Sequence, residues 1–173
     1  MKVAIIYGLA EGPWHGKRLR GALRRAGHTI TTDPSEAEAI IAHSGGCYQL
    51  PDNLKASIIL LVGLPYWPDK RISTSTNERF RLEPKSTWWL RKTGYNLYYS
   101  VTRPYHIVGI KRAYDRKKLP STQATIILVR NRHDPYMHPS KRPIVARDWQ
   151  NVDMSGHHDD LWANPTPYVK LLG

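Results

Sequence analysis

The sequence predicts an α/β protein with a mostly parallel sheet of about five or six strands flanked by helices, and three observations carry that expectation. Apolar, β-rich runs recur at residues 2–7, 29–32, 39–42, 56–64 and 124–129, and they are continuous rather than alternating. Strands covered on both faces read that way, because each side of the sheet must be apolar. The first two runs are joined by a helical stretch, a strand–helix–strand unit that implies parallel pairing with a right-handed crossover. Finally, 173 residues with 40% apolar content suffice for one domain, 1–173, with a sizeable core.

The elements follow in order. The run 2–7 ends at Gly8, and Pro13 suits the first turn of a helix. That helix shows Leu19, Ala22, Leu23 and Ala26 at i, i+3, i+4, i+7, leaving Lys17, Arg18, Arg20, Arg24 and Arg25 largely outside, with Gly27 placed as its C-terminal stop. A short strand at 29–32 ends at Asp33-Pro34. The next strand, 39–42, follows too soon for a crossover helix and runs into His43-Ser44-Gly45-Gly46, after which Pro51 limits any helix. The most apolar run, 56–64, reads as a central strand closed by Pro65-Tyr66-Trp67-Pro68. Residues 124–129 form a further strand before Asp134-Pro135, and 144–153 a last one before Gly156-His157-His158. A short helix through Leu172 opens at Asn164-Pro165.

Residues 69–118 have another character. Thirteen Lys/Arg stand there against four Asp/Glu, a net +9 of the chain's +12, and Trp88, Trp89, Tyr95, Tyr98, Tyr99 and Tyr105 crowd the same segment. It reads as a helical and loop cap inserted over the strand ends. The single Cys47 rules out an internal disulfide framework and a cysteine-based metal site. His133, His138 and His157 with Asp159 and Asp160 fit no regular metal template, so neither a metal nor an organic cofactor is expected. No run reaches the ~18 apolar residues of a membrane helix. The opening block is too short for a signal peptide and lacks a cleavage pattern, so the expected compartment is the cytoplasm. The sequence does not specify an oligomeric state.

Chemistry concentrates at Ser44. A serine between small residues at the end of a buried strand fits a sharp strand-to-turn junction that strains the serine and exposes its hydroxyl. Small residues two before and two after are needed for close backbone approach, and Ala42 and Gly46 stand there. Asp134 and the pair His157-His158 follow later strands. Serine needs a neutral imidazole to take its proton, and a carboxylate to fix the imidazole's tautomer. In a parallel sheet the C-terminal strand ends share one edge, where such residues converge.

Four motifs, Tyr7-Gly8-Leu9, Ala42-His43-Ser44-Gly45-Gly46, Asp134-Pro135-Tyr136 and Gly156-His157-His158-Asp159, resemble the α/β-hydrolase superfamily and, within it, the small compact serine-hydrolase branch. The order serine, acid, histidine matches that family. The resemblance implies a trimmed α/β-hydrolase fold acting as a carboxylesterase-like serine hydrolase on a small acyl substrate. It implies Ser44 as nucleophile, Asp134 as acid (Asp69 in reserve) and His158 as base (His157 second). Backbone N–H groups of Gly45 and Leu9 would form the oxyanion hole, and Trp14, Trp88, Trp89 and Tyr95 are candidate pocket walls. Two departures stand out: Ala42 replaces the usual glycine, and no helix fits between the second strand and Ser44. The competing expectation is a catalytically inactive scaffold of this kind, holding nucleic acid or another polyanion through the basic, aromatic cap.

Overall fold

Six strands pair side by side in the order β2-β1-β3-β4-β5-β6, and every pairing is parallel. They are β1 (Lys2–Ile6), β2 (Thr29–Thr31), β3 (Ala39–His43), β4 (Ile58–Val62), β5 (Thr125–Asn131) and β6 (Gln150–Met154). The computed structural model describes residues 1–8, 11–64, 97–98, 101–102, 122–134 and 149–173. The cap expected at 69–118 therefore lies outside the described residues, apart from four exposed helical positions at 97–98 and 101–102.

Alternation along the strands sorts side chains into two cores. Val3, Ala39, Ile41, Leu60, Val62, Ile127 and Val129 face one side, under α1 (Lys17–Arg25), α2 (Asp160–Ala163) and α3 (Thr166–Val169). Ala4, Ile6, Ile40, Ala42, Ile59, Leu61 and Leu128 face the other, where Cys47, Tyr48 and Leu64 cover them. β3 and nearly all of β4 are buried on both faces, as their unbroken apolar runs require; edge strands β2 and β6 are partly exposed.

Several boundaries differ from the sequence expectation. β4 begins at Ile58 and stops at Val62, because Gly63 takes a left-handed φ of 59° and turns the chain. β5 runs two residues beyond Val129, its ladder to β6 continuing through Asn131. Of the expected last strand, 144–148 lie outside the described residues, and β6 starts at Gln150. α1 buries Leu19, Ala22 and Leu23 as expected, but Ala26 is exposed, since the helix ends at Arg25 and Gly27 (φ 80°) redirects the chain. α2 is an addition that its length of one turn hides from periodicity. Between β2 and β3 the crossover helix is missing, as expected. A single 3-10 turn, Pro34–Glu36, stands there, capped by the Asp33 carboxylate on the Ser35 N–H at 2.9 Å.

The chain leaves β1 for β2 on one side, and β3 lies on the other. The crevice at the carboxyl ends of β1 and β3 is thus a switch point of strand order, where open α/β sheets hold their ligands. Ser44 sits directly on it.

Candidate active site

β3 delivers Ser44 in a special conformation. Its φ of 53° is left-handed, and no other non-glycine residue described has a positive φ. Such a backbone costs about 1–3 kcal/mol and persists only where the surroundings impose it. The surroundings are visible. A Cβ at Gly46 would lie 2.6 Å from the Tyr7 carbonyl oxygen, and one at Gly8 would lie 2.8 Å from Ser44 Cβ. The close approach that demands glycine is therefore between the turn after Ser44 and the end of β1. Ala42 is not what Gly46 meets most closely, which explains why a methyl is tolerated at that position: it packs in the core with Cys47. Ser44 itself is only 8% exposed, less open than the expected protruding hydroxyl.

One strand over, β4 ends level with β3, since His43 pairs with Val62. Gly63 follows, and a Cβ there would stand 3.0 Å from both Asp134 Oδ2 and His158 Nδ1. The absence of a side chain at Gly63 lets these two groups pack against the end of β4. His158 Nδ1 donates to Asp134 Oδ2 at 2.7 Å, and both side chains are fully buried. Burial lowers the basicity of His158 below the ordinary imidazole value; the Asp134 carboxylate opposes this, and the nearby His43 adds to the lowering. The ring is therefore neutral at neutral pH, with its proton on Nδ1. His157, the other expected candidate, is exposed and contributes its backbone: its carbonyl accepts Asn131 Nδ2–H at 2.8 Å. Asn131 Oδ1 in turn accepts the Tyr168 hydroxyl at 2.9 Å, an interaction that ties α3 to the loops carrying Asp134 and His158. Burial raises that phenol to about 12, so it is a fixed donor.

A second acid–imidazole pair lies against the first. His43 Nδ1 is 2.9 Å from both carboxylate oxygens of Glu11, and its Nε2 donates to the His158 carbonyl at 2.8 Å. Glu11 also accepts the Gly8 N–H at 2.7 Å. The rings of His43 and His158 are 4.7 Å apart, and Trp162 packs edge-on against His43 at 5.0 Å. Burial opposes charge on His43, yet Glu11 outweighs it and the basicity of His43 is raised. Besides His43, which stands in the Ser44 motif, the residues that build this site without a sequence signal are Glu11, Gly63, Asn131 and Tyr168. None sits in a recognisable spacing.

Donor atoms of His43, His158 and Asp159 lie within 4.8 Å of one another. Their chemistry does not suit a metal: His43 Nε2 must carry hydrogen to meet a carbonyl, its Nδ1 is held by Glu11, and His158 Nδ1 is held by Asp134. Burial pushes the Cys47 thiol far up, leaving it an inert core group.

The remaining expected residues divide. Gly45 is buried in the turn after Ser44, and Trp14 is 65% exposed ahead of α1. Leu9, Asp69, Trp88, Trp89 and Tyr95 lie outside the described residues. A hollow of about 640 Å³, lined in part by Asp52, Leu54, Ser57 and Gln123, opens at the opposite sheet edge, where β4 and β5 begin.

No protein-family model matches the sequence, and no curated protein does. Solved structures do. A thioesterase domain from the curacin biosynthetic pathway aligns at TM-score 0.60 and 11% identity, over 99% of this chain and 90% of that one. A thioesterase from the prodiginine pathway of Streptomyces coelicolor gives 0.58 and 12%, over 99% and 89%. A methylesterase from Arabidopsis gives 0.57 and 12%, over 99% and 97%. The similarity is one of fold, and the chain has a trimmed α/β-hydrolase fold. Among the described residues no helix is long and apolar enough to cross a membrane.

Proposed function

We propose that this protein is a serine hydrolase of a carboxylic ester or related acyl compound, acting through an acyl-enzyme on Ser44. The observation that carries the reading is the juxtaposition at one sheet edge of a serine forced to φ 53° and a buried Asp134–His158 pair. His158 Nε2 takes the Ser44 hydroxyl proton as Oγ bonds to the acyl carbon, and the same proton passes to the departing alcohol or thiol. Water then reverses the roles: it gives a proton to His158, its oxygen bonds to the acyl carbon, and Ser44 Oγ leaves and recovers that proton. Asp134 keeps the Nδ1 proton in place and stabilises the imidazolium. The lowered basicity of His158 supports this, since the base must be neutral before each half-reaction. Backbone N–H groups of Gly45 and Leu9 are assigned to the oxyanion, with Trp14, Trp88, Trp89 and Tyr95 as the acyl-facing walls. The cytoplasmic setting and the small acyl partner belong to the same proposal.

Labelling with a fluorophosphonate probe tests it, because only an activated serine reacts. The expected result is stoichiometric labelling of Ser44 that is abolished in a folded Ser44→Ala variant. Undiminished labelling of that variant, or none in the wild type between pH 6 and 9, would sink the reading.

A further inference from the structure

Three segments meet at the switch point: the loop after β1, the turn after β3 and the loop after β6. One pair of side chains touches all three. Glu11 accepts the Gly8 N–H of the first loop, His43 directly precedes Ser44, and His43 Nε2–H reaches the His158 carbonyl in the third. We infer that Glu11 and His43 form a buried charged strut that sets the position and the basicity of the His158 imidazole, making them positioning residues for the reaction on Ser44.

The protonation state follows from the partners. A carbonyl oxygen only accepts, so His43 Nε2 carries a hydrogen. Nδ1 lies 2.9 Å from two carboxylate oxygens, and the basicity of His43, raised by Glu11 against the opposing burial, puts the second hydrogen on the ring rather than on Glu11. His43 is then an imidazolium and Glu11 a carboxylate, both almost wholly buried. A buried pair is weak evidence of stability for its own sake, since its desolvation offsets much of its attraction. What it supplies here is geometry and field. By gripping the backbone of His158 rather than its side chain, it fixes the residue while leaving the ring to Asp134. Its positive ring, 4.7 Å from the His158 ring, disfavours a second positive charge there. The strut thus helps keep the base neutral into mildly acidic solution.

Among the described residues, the charged and titratable groups that face His43 include Glu11 from the β1 loop, His158 and Asp159 from the loop after β6, and Asp134 beyond His158, while the inert Cys47 thiol lies near Glu11. Asp159 acts on both imidazoles in the same direction, so it does not distinguish them. Glu11 does, through its direct contact with His43.

This inference rests on the hydrolase reading for its purpose, and the experiment separates the two. Glu11→Gln keeps an acceptor for Gly8 N–H and a donor for His43 Nδ1, while removing the charge from both members of the strut. Imidazole NMR titration of Glu11→Gln should show His158 protonating at higher pH than in the wild type, with a neutral His43. Fluorophosphonate labelling should slow selectively below pH 6.5, staying within about threefold of wild type on the alkaline plateau. The double variant Glu11→Gln/His43→Phe leaves no buried charge in the strut but loses the donor to the His158 carbonyl. Its plateau labelling should fall about 10- to 100-fold, the scale expected for a misplaced base.

An unmoved His158 titration in Glu11→Gln, or wild-type plateau labelling in the double variant, would overturn the strut. Should neither variant fold, the wild type decides: His43 nitrogen shifts of an imidazolium at pH 7 support it, and those of a neutral ring overturn it. A wild type that never labels refutes the hydrolase reading, while the imidazole titrations still judge the strut.

Discussion

Two buried histidines, one strand end apart, make the same kind of contact and are driven in opposite directions. His158 meets Asp134 at 2.7 Å and His43 meets Glu11 at 2.9 Å. Burial lowers the basicity of both. The difference lies in what else surrounds each ring. His43 gives its Nε2–H to the His158 carbonyl, so its protonated form is hydrogen-bonded at both ends, and the sum favours charge. His158 has its carboxylate but also a cationic neighbour, and the sum favours neutrality. A carboxylate beside an imidazole does not by itself decide its charge; the rest of the shell does.

The largest expected effect breaks the first pair. Asp134→Asn presents an amide to Nδ1, favours the wrong tautomer, and should cut labelling and ester turnover about 10⁴-fold, with circular dichroism unchanged. Breaking the other pair should register in stability as well as in labelling. His43→Ala leaves Glu11 charged and buried, and denaturant unfolding should show a loss of about 3–5 kcal/mol. Gly63→Ala probes the wall shared with the first pair: its Cβ would meet Asp134 and His158 at 3.0 Å from a left-handed backbone, so kcat should fall about 100-fold. A kcat within twofold of wild type would mean that the pair has room to shift.

The pH dependence of stability sharpens the contrast, because the two signs oppose. His158 has its basicity lowered, so the unfolded chain binds the extra proton first, and its contribution is lost as pH falls below about 6.5. His43 has its basicity raised, so its contribution is full below about 6.5 and lost as pH rises above it. Unfolding free energies between pH 5 and 8 should therefore decline on both sides of a maximum, and Glu11→Gln should flatten the alkaline side. Smallest of all is His157→Ala, since that residue is exposed and offers its carbonyl to Asn131 whatever its side chain. Activity within twofold of wild type and a stability change below about 0.5 kcal/mol are expected.

The amino-acid sequence by itself determined the sheet. Continuous apolar runs such as Ile40–Ile41 and Ile59–Leu60–Leu61 cannot sit anywhere but between two covered faces, so parallel strands and their C-terminal edge were legible before any coordinates. The placement of Ser44, Asp134 and His158 just past the ends of strands was legible too. The β4 boundary, the exposed Ala26 and the one-turn α2 were not, since each depends on a local φ or a tertiary cover that periodicity does not record. Which of His157 and His158 faces inward was likewise tertiary: only the packed structure turns His158 onto Asp134 and leaves His157 exposed. Least legible was the pairing of Glu11 with His43, 32 residues apart and without a motif. Side-chain type and spacing set where chemistry can gather along a sheet edge. Which charges are desolvated together there, and hence which imidazole holds its proton, is decided only when distant segments close over one another.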